Sequence, residues 1–69
     1  MQRIPVSSSN VDSVGYDEDS GTLEVEFKNG TVYQYFDVPS KIYENLMSAS
    51  SIGGFLASSI KGSFRFSKV

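Results

Sequence analysis

The chain has no cysteine and no histidine. Without cysteine it can form neither a disulfide framework nor a thiolate zinc site. Without histidine it lacks the usual general base, a common nitrogen ligand for metals and the side chain that most often changes charge near neutral pH. No apolar run approaches the roughly 18 residues needed to span a bilayer. The opening Met1-Gln2-Arg3-Ile4-Pro5-Val6 has no long apolar core behind its single charge, so it does not read as a secretory leader. The expected location is therefore cytoplasmic, in a bacterial cell or a phage-infected host, with no membrane partner.

What remains is an ordinary globular composition, 39% hydrophobic, 13% aromatic and 20% charged, over 69 residues. This length supports a single domain spanning residues 1–69. So short a chain buries only about 60% of the surface that its unfolded state exposes. Packing against copies of itself would add stability, and a homo-oligomer is expected. The net charge of −2 is unevenly spread: residues 1–60 carry −5, and residues 61–69 carry +3 from Lys61, Arg65 and Lys68. Such a basic end is either a solvated tail or an anion-binding strip.

The apolar pattern predicts three strands, at 11–17, 22–28 and 31–37. Thr22-Leu23-Glu24-Val25-Glu26-Phe27-Lys28 alternates strictly, as a half-buried strand does. Asn29-Gly30 reads as a two-residue hairpin turn. Closure there sets Phe27 against Val32, Glu26 against Tyr33, Glu24 against Tyr35 and Leu23 against Phe36. Opposed residues share a face. The core face is then Leu23, Val25, Phe27, Val32 and Phe36, and Tyr33 and Tyr35 point the other way beside Glu24 and Glu26. A four-residue turn at 18–21 sets Tyr16 against Leu23 and Val14 against Val25. Pro39 suits a first helical position. Ile42, Tyr43, Leu46 and Met47 recur at helical spacing, as do Ile52, Phe55, Leu56 and Ile60, with Ser50 or Ser51 as cap and Gly62 as stop. Phe64-Arg65-Phe66 alternates like a short final strand or an extended tail.

These pieces together resemble the KTSC domain, a family named for its place at the C-terminus of some lysyl-tRNA synthetases. The resemblance runs through Ile4-Pro5-Val6-Ser7-Ser8-Ser9-Asn10, Gly15-Tyr16-Asp17, Thr22 to Phe27, Asn29-Gly30, the Tyr33-x-Tyr35 pair, Val38-Pro39, Tyr43 and Leu46-Met47. It covers nearly the whole chain and departs at Ala57-Ser58-Ser59 and at Phe64 and Phe66. It implies a free-standing small bacterial or phage member, and RNA binding has been suggested for the family.

The expected fold is thus α+β: a three-stranded antiparallel β-meander followed by two short helices and a short C-terminal extended segment. Tyr33 and Tyr35 form either an aromatic platform for stacking bases or a surface that the final segment covers. Lys61, Arg65 and Lys68 are the natural phosphate partners, joined by Arg3 if the chain ends meet. Glu24 and Glu26 lie two residues apart, but a solvent-facing strand pair does not separate pKa values as acid–base chemistry requires. No side chain is available as a base for the serines, and Asp17-Glu18-Asp19 lacks the spacing of a calcium loop. The expectation is a non-enzymatic nucleotide- or RNA-binding module, with no cofactor, no metal and no DNA partner. It could sequester a small cyclic nucleotide between subunits. The alternative is a protein-interaction or homo-oligomerisation adaptor.

Overall fold

The computed structural model describes all 69 residues. Five antiparallel strands form one sheet in chain order: β1 (Arg3–Pro5), β2 (Val11–Asp17), β3 (Thr22–Phe27), β4 (Val32–Tyr35) and β5 (Phe66–Lys68). Helix α1 (Ser40–Met47) and helix α2 (Ile52–Phe55) lie between β4 and β5, and α2 continues into a π-helical turn, Leu56–Ile60. The α+β class and the central meander match the sequence reading, but the count of three strands is corrected to five. Strands of three residues are too short to show a period of two; their partners across the sheet define them.

The β2–β3 turn is the expected one. Asp17 pairs with Thr22, Tyr16 faces Leu23 and Val14 faces Val25. The Gly21 N–H closes the turn onto the Asp17 carbonyl at 2.8 Å. A bulge at Asp12 then brings Val11 opposite Phe27, so Val11 and Val14 both enter the core despite their odd spacing.

The β3–β4 turn differs from the expectation by one residue. Val25 faces Tyr33 and Leu23 faces Tyr35. The Phe27 N–H bonds the Thr31 carbonyl at 2.8 Å, and the Gly30 N–H bonds the Phe27 carbonyl at 2.9 Å, so the loop is Lys28-Asn29-Gly30. Only Gly30 takes a positive φ, 90°. The Asn29 carboxamide oxygen instead accepts the Thr31 N–H at 3.0 Å. A three-residue loop ending in a left-handed glycine is the next commonest hairpin closure after the two-residue turns. A shift of one residue moves every side chain to the other face. Tyr33 and Tyr35 therefore lie on the helix-covered face with Leu23 and Val25, whereas Val32 pairs with Glu26 on the far side.

The helices form on the expected stripes. Pro39 is the residue before helix α1, with extended ψ of 148°, rather than its first helical residue. Ser51 caps α2 by accepting the Gly54 N–H on its hydroxyl at 3.1 Å. Val11, Val14, Leu23, Val25, Val38, Leu46 and Ile60 are fully buried, and Leu56 and Tyr35 complete the core. Each such aliphatic side chain contributes about 1.5–3 kcal/mol on burial. Tyr16 stacks on Tyr43, with centroids 4.7 Å apart and planes at 8°, and donates its hydroxyl to the Val38 carbonyl.

The far face of the sheet carries a polar row. Arg3, Gly15, Glu24 and Gln34 stand side by side across β1 to β4. Arg3 reaches over Gly15 to hold Glu24 at 2.8 Å, and Gln34 donates to the other Glu24 oxygen at 2.8 Å. Arg3 also lies 3.6 Å from Glu26, which accepts from Ser13 at 3.1 Å. A Cβ on Gly15 would stand 3.0 Å from both the Arg3 Cγ and the Gln2 carbonyl. The missing side chain is what lets the arginine cross. Gly15→Ala is expected to lower the unfolding free energy by about 1–3 kcal/mol in urea titration. If the variant is as stable as the parent, the crossing does not depend on that gap.

Candidate functional site

Two adjoining recesses form one cleft at the open end of the helix-covered face. The outer, about 530 Å³, is lined by residues that include Lys28, Asn29 and Thr31. The inner, about 230 Å³, reaches Tyr35, Gly53 and Leu56. Asn10, Phe27, Tyr33 and Lys61 line both. Three distant pieces of chain meet here, and backbone bonds hold them in place. The Lys28 N–H donates to the Asn10 carbonyl at 2.8 Å, which clamps the hairpin loop to the approach of β2. The Lys61 N–H donates to the Leu56 carbonyl, five residues back, at 2.7 Å. This wider π turn ends at Lys61 and sets it on the rim; such turns recur at functional sites. Beyond Lys28 a broad hollow of about 720 Å³ is lined by Ser7, Ser8, Ser9, Ser50 and Ser51 among others.

An aromatic cluster supports the cleft. Tyr33 stands edge-on to Phe27 at 5.9 Å and to Phe66 at 5.8 Å, and Tyr35 lies 6.5 Å from Tyr33 and 5.9 Å from Phe66. Tyr33 is half-buried. Tyr35 is a core residue at 5% exposure. Burial raises the Tyr35 hydroxyl pKa above the ordinary 10.0, and the neighbouring Tyr33 raises it further. The hydroxyl is therefore protonated across the physiological range.

The electrostatics are one-sided. No carboxylate lines either recess. The three ion pairs of the chain all use Arg3 or Arg65, which leaves every lysine without a carboxylate partner. Of the residues expected from the sequence, Tyr33, Tyr35 and Lys61 come together here, and Lys68 faces Tyr33 in the β4–β5 pairing. Arg3 belongs to the far-face row. Arg65 lies against exposed Asp37 at 2.8 Å and over the Phe36 ring at 5.8 Å, away from the cleft. Glu24 and Glu26, expected directly across from the tyrosines, are on the opposite face and bound there. Asn10, Phe27 and Lys28 were not among the expected site residues. Phe27 read simply as core, and nothing local in the sequence ties Asn10 to Lys61. No group of three or more His, Cys, Asp or Glu side chains is placed to hold a metal. No helix is long and apolar enough to cross a membrane.

A family model described as the KTSC domain matches residues 7–64. The chain superposes on the crystal structure of a KTSC domain protein from Yersinia pestis with a TM-score of 0.93 and 48% identity, covering 99% of this chain and 96% of that one. A protein from Tsukamurella paurometabola is 36% identical over 61 residues, 88% of this chain and 91% of that protein. A lysine–tRNA ligase from Nostoc punctiforme is 38% identical over 61 residues, which make up 88% of this chain but 11% of the ligase.

The buried phenol has a consequence for stability. A group whose folded pKa is raised holds its proton more tightly in the native state. Its contribution is fully present below the unfolded pKa, about 10 for tyrosine, and is lost as pH rises through the folded value. Unfolding free energy is therefore expected to fall above about pH 10, and to fall less steeply in Tyr35→Phe. Equal alkaline slopes for parent and variant in denaturant titrations would contradict burial as the cause.

Proposed function

The chain belongs to the KTSC domain family, and from that membership and the cleft together we propose that it is a nucleotide- or RNA-binding module without catalytic chemistry. One observation carries this reading: a cleft walled by Phe27 and Tyr33 holds two lysines free of carboxylate partners and no acid, in a chain whose net charge is −2. Negative charge is kept out of a cleft whose wall includes the rings of Phe27 and Tyr33. A base packed against Tyr33 gains about 1–3 kcal/mol. Lys61 and Lys28 lie within the same recess to meet its phosphate, and Lys68 stands on the neighbouring strand beside Tyr33. The serine-lined hollow beyond Lys28 offers hydroxyl donors to a following phosphate. The lysine–tRNA ligase likeness supports the same direction, since that enzyme is named for a reaction on RNA. In its finest form the proposal has a small cyclic nucleotide sequestered between two subunits, each cleft taking one base.

A second reading has its own observation. Phe66 and Val69, at the sheet edge formed by β5, are 56% and 65% exposed, and exposed apolar groups on a free edge suit contact with another protein or a second copy. The two readings separate by salt. Phosphate recognition weakens as ionic strength rises, whereas apolar association does not.

Thermal melting with nucleotides, cyclic dinucleotides and short RNAs is expected to show stabilisation by at least one class. Tyr33→Leu should then weaken binding of that ligand by about 1–3 kcal/mol. For an RNA ligand, Lys61→Ala should reduce the slope of log affinity against log salt by about 1. If both variants bind as the parent does, the cleft is not the site.

A further inference from the structure

Tyr35 is almost wholly buried, yet its hydroxyl makes no hydrogen bond within the chain, unlike that of Tyr16, which bonds the Val38 carbonyl. A buried tyrosine normally satisfies its O–H. No buried side-chain polar atom is sealed off without a partner, so the Tyr35 hydroxyl keeps access to solvent, and Tyr35 is one of the residues that line the inner recess. The Asn10 carboxamide, on the same recess, is also unengaged; Asn10 bonds Ser8 through its backbone N–H alone. Phe27, Leu56 and Ala57 make the surrounding wall apolar. An apolar recess onto which a few unpaired polar groups converge is the usual construction of a small-molecule site. At about 230 Å³ the space admits one heteroaromatic base and not two stacked ones.

We propose that the inner recess reads the identity of one nucleobase, with the Tyr35 hydroxyl and the Asn10 carboxamide hydrogen-bonding its edge while Tyr33 packs against it. The proposal rests on the nucleotide-binding reading and adds selectivity to it. Stacking and lysine contacts tolerate any base, whereas the edge contacts do not. A protonated phenol donates to a ring nitrogen or carbonyl, and a carboxamide presents a donor beside an acceptor, the pattern that pairs with adjacent groups on a base edge. A sugar phosphate without a base has hydroxyls but no flat ring to pack against Tyr33 and no fixed donor–acceptor edge. A base lacking the matching groups leaves the Tyr35 hydroxyl without a partner in a largely buried place, and this penalty is the source of discrimination.

Calorimetric titration with AMP, GMP, CMP, UMP, their homotetranucleotides and ribose 5-phosphate tests this directly. The parent is expected to rank the four bases and to bind ribose 5-phosphate weakly. Tyr35→Phe keeps the ring and removes only the hydroxyl. It should leave the urea midpoint at neutral pH unchanged, because that hydroxyl holds nothing in the free chain. It should also cost roughly tenfold in affinity for the preferred base and narrow the spread among bases. Asn10→Ala should do the same from an exposed position where folding is not at stake. If both variants keep the parent's ranking and affinities, or if ribose 5-phosphate binds as tightly as any nucleotide, the base-reading pocket is overturned while phosphate binding by the cleft stands. If the parent binds none of these ligands and no cyclic dinucleotide either, both readings fall together.

Discussion

The structure depends above all on where the hairpin between β3 and β4 closes. Because Phe27 pairs with Thr31 around Lys28-Asn29-Gly30, Tyr33 and Tyr35 fall in line with Val25 and Leu23 beneath the helices. Closure one residue tighter would turn both rings to the far face, beside Glu24 and Glu26, and bring Val32 and Phe36 under the helices instead. Both arrangements bury apolar residues, so hydrophobicity alone does not choose between them. Local chemistry decides. Asn29 does not take a positive φ and its carboxamide accepts the Thr31 N–H, and of the loop residues Gly30 alone has a positive φ. Three residues of loop thus determine which side of the sheet carries the aromatic cluster, and hence where any ligand can meet it.

Much of the architecture was legible because it is local. The strict alternation of 22–28, the four-residue turn at 18–21, the stripes of Leu46, Leu56 and Ile60 and the Ser51 cap each follow from neighbours within a few positions. What escaped was long-range or ambiguous. An Asn-Gly pair serves both two- and three-residue hairpin loops, and the wrong choice put the tyrosines on the wrong face. Arg3 read as a free cation because its partner is 21 positions away, and Gly15 gave no sign that it makes room for that contact. The site was half visible for the same reason. Tyr33, Lys61 and Lys68 belong to patterns, whereas Asn10 and Lys28 acquire meaning only through the backbone bond that joins them.

The two faces of the sheet divide the charge between them. On the far face, acids predominate and are answered: Glu24 by Arg3 and Gln34, Glu26 by Ser13 and Arg3. These groups are partly screened from solvent, where a hydrogen-bonded ion pair counts for more than on an open surface. On the cleft side the cations are left without partners. A chain with six basic and eight acidic residues could have neutralised its lysines locally and does not. That choice keeps a positive recess on an acidic protein.

The same economy governs polarity in the interior. A domain of this size has little core to spare, and Tyr35 occupies part of it with a ring whose hydroxyl makes no hydrogen bond within the chain. Phenylalanine there would fill the same volume without the need to keep one polar atom in reach of solvent. Within the chain the hydroxyl has no partner, so what completes it is solvent or, under the proposal above, a bound base. Such a partner must be flat enough to slide beside Tyr33, polar at the edge that reaches Tyr35 and Asn10, and anionic where it leaves past Lys61 or Lys28. Water meets the second condition alone, and an acidic peptide meets only the third. A nucleotide meets all three at once, which is why the unpaired phenol argues for a base and not merely for a phosphate.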